Sequence, residues 1–266
     1  MNRLEQCFTA LKKDGRKGLV TFLTAGDPDL QTSQTILNAL PQNGADVIEI
    51  GMPFSDPMAD GPAIQQANIR ALDAGTTLEN VLEMVKSFRV NDTKTPLVLM
   101  GYYNPIYNYG TERFIAKAAE YGVDGLIIVD LPPEEDSELR EPASANGMNV
   151  IRLLTPTTDA DRITTVLSGS GGFLYYVSIA GVTGTASADM DHLAPHLDMI
   201  RSQTDLPIAI GFGIKTPADV KKMAQYGDAV VVGSAIVNNI GKTATGEKTT
   251  DDVLAQVRDL AAALKA

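Results

Sequence analysis

Short apolar runs alternate with longer amphipathic stretches from one end of this chain to the other. The apolar runs fall at residues 19–23, 47–50, 97–100, 125–129, 150–154, 173–177, 208–210 and 229–232. Each is the length of a strand, and most are rich in Val, Ile and Leu, as buried parallel strands are. Between them lie helical patterns. Residues 32–40 place Ile36, Leu37 and Leu40 on one face, and Thr77 caps 78–88, where Leu78, Val81, Leu82 and Val85 form a stripe. Residues 112–121, 134–145, 159–167, 217–226 and 251–264 continue the cadence.

Eight strand-then-helix units in 266 residues suit a (β/α)8 TIM barrel, which uses roughly 250 residues. A doubly wound sheet is the competing architecture. The barrel is favoured because the cadence never breaks and the loops with chemical content all follow strands, which a barrel gathers at one face. Two segments exceed the minimal pattern. An extra N-terminal helix, 2–11, with Leu4, Phe8 and Leu11 at helical spacing, is expected to cover the bottom. An added helix after strand 2, 62–72, begins with Pro62, well suited to a first turn. No linker, low-complexity tract or repeat divides the chain, so 1–266 reads as a single barrel domain.

Strand alternation gives the second run its meaning. If Val47, Glu49 and Gly51 face the barrel axis, Ile48 and Ile50 face the helices. Glu49 then points inward near the end of a buried strand, where carboxylates are rare without a partner. A structural ion pair would explain it, but no Lys or Arg lies near it in sequence. An enclosed glutamate with apolar neighbours has a raised pKa, which suits acid–base work. The following loop, 52–61, carries Asp56 and Asp60. By itself Asp60 reads as an ordinary helix cap; its interest is that its loop passes near Glu49.

Gly211-Phe212-Gly213 follows the seventh run and Gly233-Ser234-Ala235 the eighth, with Gly181-Val182-Thr183-Gly184 after the sixth. In barrels the places after the seventh and eighth strands often bind phosphate through backbone N–H groups and a helix N-terminus, which Ser234 can cap; the loop after the sixth can add further N–H groups. The chain carries a formal net charge of −11, which fits neutral anion binding and argues against nucleic acid and anionic membrane. Tyr175 reads as axis-facing by parity with Phe173 and Val177; packing and function weigh equally there.

The remaining signals have plain readings. Gly169-Ser170-Gly171-Gly172 precedes a strand and is a bottom turn. His192 and His196 have metal-like spacing, but Pro195 interrupts their helix and a surface face explains them. Glu134, Glu135 and Asp136 open a helix, where acids are favoured. One cysteine excludes disulfides and Cys-based metal clusters. The start has no apolar signal region and no run spans a bilayer, which suggests a cytoplasmic protein.

The stretches 22–28, 49–62, 100–105, 130–132 and 211–214 closely resemble the tryptophan synthase alpha chain family, and the resemblance covers essentially the whole chain. The family is a (β/α)8 barrel that cleaves indole-3-glycerol phosphate to indole and glyceraldehyde 3-phosphate. Its partner is a pyridoxal phosphate-dependent beta chain that joins the indole to serine. The resemblance implies that Glu49 is the general acid–base, that Asp60 bonds the indole N–H, and that Tyr175 supports the reacting centre. It assigns Gly184, Gly213, Gly233 and Ser234 to the phosphate cradle, Phe22, Met100, Ile127 and Phe212 to the indole slot, and Thr183 to loop closure. It implies no metal and no cofactor on this chain, and an alpha2beta2 assembly whose surface here involves 53–57 and 104–109. Ile179 stands where some members have arginine, and Thr185-Ala186-Ser187 is uncharged; both bear on closure over the phosphate. Alternatives are a stand-alone lyase, or a weakly active binding subunit that activates the beta chain. A phosphosugar isomerase on the same fold is more distant.

Overall fold

The computed structural model describes residues 2–177, 190–211 and 213–265. Nine parallel strand segments make one sheet: β1 Gly18–Thr24, β2 Val47–Gly51, β3 Leu97–Gly101, β4 Gly125–Ile128, β5 Asn149–Val150, β6 Arg152–Leu154, β7 Leu174–Val177, β8 Ile208–Gly211 and β9 Ala229–Val232. Their order is β5-β4-β3-β2-β1-β9-β8-β7-β6. The two ends, β5 and β6, flank Ile151 in the chain, so the ring closes through that residue. The fifth apolar run is thus one strand in two segments, and the (β/α)8 barrel stands. The doubly wound alternative fails because the strands follow chain order around a ring: β1 pairs with the last strand, β9, and the two ends of the order are consecutive in the chain.

Alternation sorts the side chains cleanly. Val20, Val47, Val98, Ile127, Phe173 and Val231 pack inside the barrel. Leu19, Ile48, Leu97, Leu126, Leu174 and Val230 pack outward against the helices. The N-terminal helix Arg3–Lys13 closes the bottom as expected: Leu4, Phe8 and Leu11 are buried in the interior cluster, and the Phe8 and Phe173 rings lie 5.6 Å apart. Burying each such side chain contributes about 1.5–3 kcal/mol. A repeated device sets strand starts there. Asp46, Asp124 and Asp228 each precede a strand and accept the first or second N–H of a neighbouring one, from Leu19, Leu97 and Ile208 at 2.8, 2.9 and 2.9 Å. Arg16, Arg3 and Arg89 neutralise two of these carboxylates.

The added helix is Pro62–Asp73, with Pro62 in its first turn. Four local readings change. The stretch 104–109, expected only as part of a partner surface, lies in a helix, Tyr103–Tyr109; Pro105 is tolerated because a first-turn N–H has no partner anyway. Pro195 lies inside a continuous helix, Met190–Arg201. His196 is not a bare surface residue, since its ring nitrogens meet Tyr176 Oη at 2.9 Å and the Thr158 carbonyl at 2.7 Å. Of the acids 134–136 only Asp136 reaches the helix Ser137–Ala145, at its cap position, and its side chain makes no capping bond. Buried Asp136 pairs with Arg140 and Arg152, and Glu134 with Arg162.

Candidate active site

The upper end of the barrel is built from the residues that end β1, β2, β3, β7, β8 and β9. Glu49 is 1% exposed and faces the axis, in register with Phe22 on one side and Val98 on the other. Its Oε1 has no hydrogen-bond partner among the described residues. Burial pushes its carboxyl up to about 8. A buried carboxyl with no counter-charge holds its proton at neutral pH, because the ionised form would lose its hydration without replacement.

Tyr175 projects from β7 toward the same space, in register with Leu153 and Ala209. Its phenol is held well above its ordinary value, first by burial and then by the Glu49 charge. The two groups therefore sense one another across the axis, and Tyr175 remains a donor throughout the working pH range. A Cβ built on Gly211 would lie 2.4 Å from Tyr175 Oη, so the phenol occupies the space that a side chain at 211 would need.

Asp60 is not a helix cap. Gly61 holds the cap position of Pro62–Asp73. The Asp60 carboxyl instead receives Asn68 Nδ2 at 3.5 Å and a bond from Tyr102. Burial raises its pKa, while Tyr102 and Asn68 oppose that rise. Tyr102 also pins the loop: its Oη accepts the Ala59 N–H at 3.0 Å, and its ring lies 5.3 Å from that of Phe54. Asn68 and Tyr102 are the residues that sequence reasoning passed over. Asn68 had a signal, being a poor helix former at a buried position two turns into an amphipathic helix. Tyr102 stood in a matching stretch without a role.

Phe22 and Met100 line the apolar side, together with Ala67, Val237 and Ile64. Ile127 is fully buried within the barrel interior, and Met100 packs against both groups. Gly213 adopts φ +74°, and Gly233 sits at the cap position of the helix Ser234–Thr243. Ser234 is the first helical residue and makes no capping bond, which corrects its reading as the cap. Its exposed hydroxyl is instead free of that duty at a helix N-terminus, where orphan N–H groups and the macrodipole favour an anion. Thr183, Gly184 and Phe212 lie outside the described residues, as do Ile179 and 185–187. No group of three His, Cys, Asp or Glu side chains suited to a metal is found among the described residues.

The description of the tryptophan synthase alpha chain family matches residues 8–265. The crystal structure of tryptophan synthase subunit alpha from Legionella pneumophila str. Paris superposes with a TM-score of 0.92 at 39% identity, covering 100% of this chain and 99% of that one. A Mycobacterium tuberculosis tryptophan synthase structure superposes at 0.89 with 31% identity, covering 100% and 99%. An Aquifex aeolicus VF5 structure superposes at 0.90 with 35% identity over 99% of each chain.

Proposed function

Because this chain belongs to the tryptophan synthase alpha chain family, we propose that Glu49, Asp60 and Tyr175 divide the cleavage of indole-3-glycerol phosphate among them. The observation that carries this reading is Glu49, buried at the end of β2 with its Oε1 unpartnered among the described residues, where burial pushes its carboxyl up to about 8. In its acid form Glu49 gives its proton to the indole ring carbon that bears the side chain. The resulting carboxylate takes the proton of the adjacent glycerol hydroxyl as the carbon–carbon bond breaks. Indole and glyceraldehyde 3-phosphate leave, and Glu49 is protonated again. A pKa near 8 suits both halves of that cycle, since neither form is strongly disfavoured.

Asp60 stabilises the positive charge that develops on the indole nitrogen, a term that acts mainly in the transition state. Tyr102 and Asn68 hold its carboxyl in place. Tyr175 donates a hydrogen bond at the reacting centre. Phe22, Met100 and Ile127, with Phe212, form the indole slot. Gly213, Gly233 and Ser234, with Gly184, hold the phosphate, and Thr183 joins the acid-bearing loop when the site closes.

The reaction makes the chain a carbon–carbon lyase, and residues 1–266 a single catalytic domain. The family's chain carries no cofactor of its own; pyridoxal phosphate belongs to the beta chain. The partner is that beta chain in an alpha2beta2 assembly, met through the loop after β2 and the helix Tyr103–Tyr109. Tyr107 at 63% exposure supports that surface, and Met58 at 79%, just past 53–57, adjoins it, both large side chains left in water. No described helix is long and apolar enough to cross a membrane, which is consistent with a cytoplasmic setting. The test is indole release from indole-3-glycerol phosphate with and without a beta chain. Slow release that the partner strongly accelerates is expected. Fast release indifferent to the partner would mark a stand-alone lyase, and none in either condition would leave a binding subunit.

A further inference from the structure

Helix Pro62–Asp73 lies between two halves of the site. Asn68 reaches back to Asp60, while Ala67 packs with Val237 over Phe22. Val237 belongs to Ser234–Thr243, the helix that starts at the phosphate cradle. One turn past Ala67, Arg70 makes a two-pronged bond to Asp27, with Nε to Oδ1 at 2.7 Å and Nη2 to Oδ2 at 2.9 Å. Asp27 is fully buried and follows β1. The same guanidinium also lies against Gly241, where an added Cβ would fall 2.7 Å from Nη2 and 2.8 Å from Cζ.

We infer that Arg70 is a positioning residue of the reaction: its fork on Asp27 and its contact with Gly241 fix the spacing between the arm that holds Asp60 and the helix that opens at the phosphate cradle. The inference rests on the roles proposed above for Asp60 and the cradle. Its physical basis is threefold. A planar fork fixes orientation as well as distance, which a lysine cannot do. A guanidinium locked by a buried carboxylate does not yield readily to a neighbouring helix, so it acts as a spacer. The substrate bridges both halves, so it alone feels an error in their spacing; a displacement of about 1 Å costs on the order of 100-fold in rate.

The test compares Arg70→Lys and Gly241→Ala with the wild-type chain, each assembled with a beta chain. Gly241→Ala guards against failure to fold, because alanine favours the helix while its methyl, pressed against the locked guanidinium, pushes that helix away and widens the spacing. For both variants kcat/KM for indole-3-glycerol phosphate is expected to fall at least about tenfold. The Kd for inorganic phosphate, which occupies one half only, is expected to stay within about twofold. Unchanged kcat/KM in both variants would overturn the inference. So would equal losses in turnover and phosphate binding, since those mark general loosening. No indole release by the wild-type chain would bring down the functional reading and this inference with it.

Discussion

The Tyr175 phenol lies where a Gly211 side chain would have to go: a Cβ at 211 would sit 2.4 Å from Tyr175 Oη and 2.8 Å from its ring carbons. The contact joins β7 to β8 inside the barrel, next to Glu49. Gly211→Ala should therefore displace the phenol from the reacting centre. The expected outcome is a loss of kcat on the order of 100-fold, since misplacement by about 1 Å costs that much. Overpacking should also cost about 1–3 kcal/mol of stability. Steady-state kinetics and thermal melts check both; full activity would remove Tyr175 from the site.

Glu49 also makes a stability prediction. Its folded pKa, about 8, lies above its ordinary value of 4.5, so the folded state binds the proton more tightly. The stability linked to this group is fully present below pH 4.5 and is lost as pH rises toward 8. The loss at pH 7 is roughly 3 kcal/mol, from 1.36 kcal/mol per unit of pKa difference. Glu49→Gln escapes this term. Its melting temperature should exceed that of wild type by a margin that grows from pH 5 to pH 8. A margin that does not change with pH would mean that Glu49 is paired after all.

Tyr102→Phe removes the bond that steadies the Ala59 N–H and one that lowers the Asp60 pKa. The Asp60 pKa should rise, so the acid limb of the kcat profile should move to higher pH. Turnover at its optimum should fall about tenfold as the loop loosens. A pH–rate profile decides it; an unmoved acid limb would detach Asp60 from Tyr102.

At the phosphate end, affinity and stability should part ways. Ser234→Asp puts an acid in the first turn of its helix, which favours the helix by about 0.3–1 kcal/mol. The same charge repels a phosphate, so KM should rise at least about tenfold. Titration calorimetry with inorganic phosphate and a thermal melt give the two signs; unaltered phosphate affinity would place the cradle elsewhere.

Much of this site could be read from local pattern because its logic is one-dimensional. Period-two alternation turned Glu49 and Tyr175 inward, since their neighbours Ile48, Ile50, Leu174 and Tyr176 needed the helix layer. The bottom helix was legible through Leu4, Phe8 and Leu11 for the same reason. What escaped depends on contacts across distant loops. Tyr102 meets Ala59 forty-three residues away, and Arg70 meets Asp27 over the same separation. Asp136 looked like a helix-opening acid because nothing local announces Arg152 as its partner. Asp60 and Ser234 were each offset by one residue from the cap position their types favour, and that offset left both side chains available to the site.

The central claim is that Glu49 moves the proton. The most direct measurement is indole release from indole-3-glycerol phosphate by Glu49→Gln, assembled with a beta chain, beside the Kd of each form for inorganic phosphate. The isosteric amide can neither give up nor take the proton, and general acid–base transfer contributes about 100- to 10,000-fold. Turnover should fall by at least that range while phosphate affinity is unchanged. Turnover close to wild type in the folded variant would contradict the account.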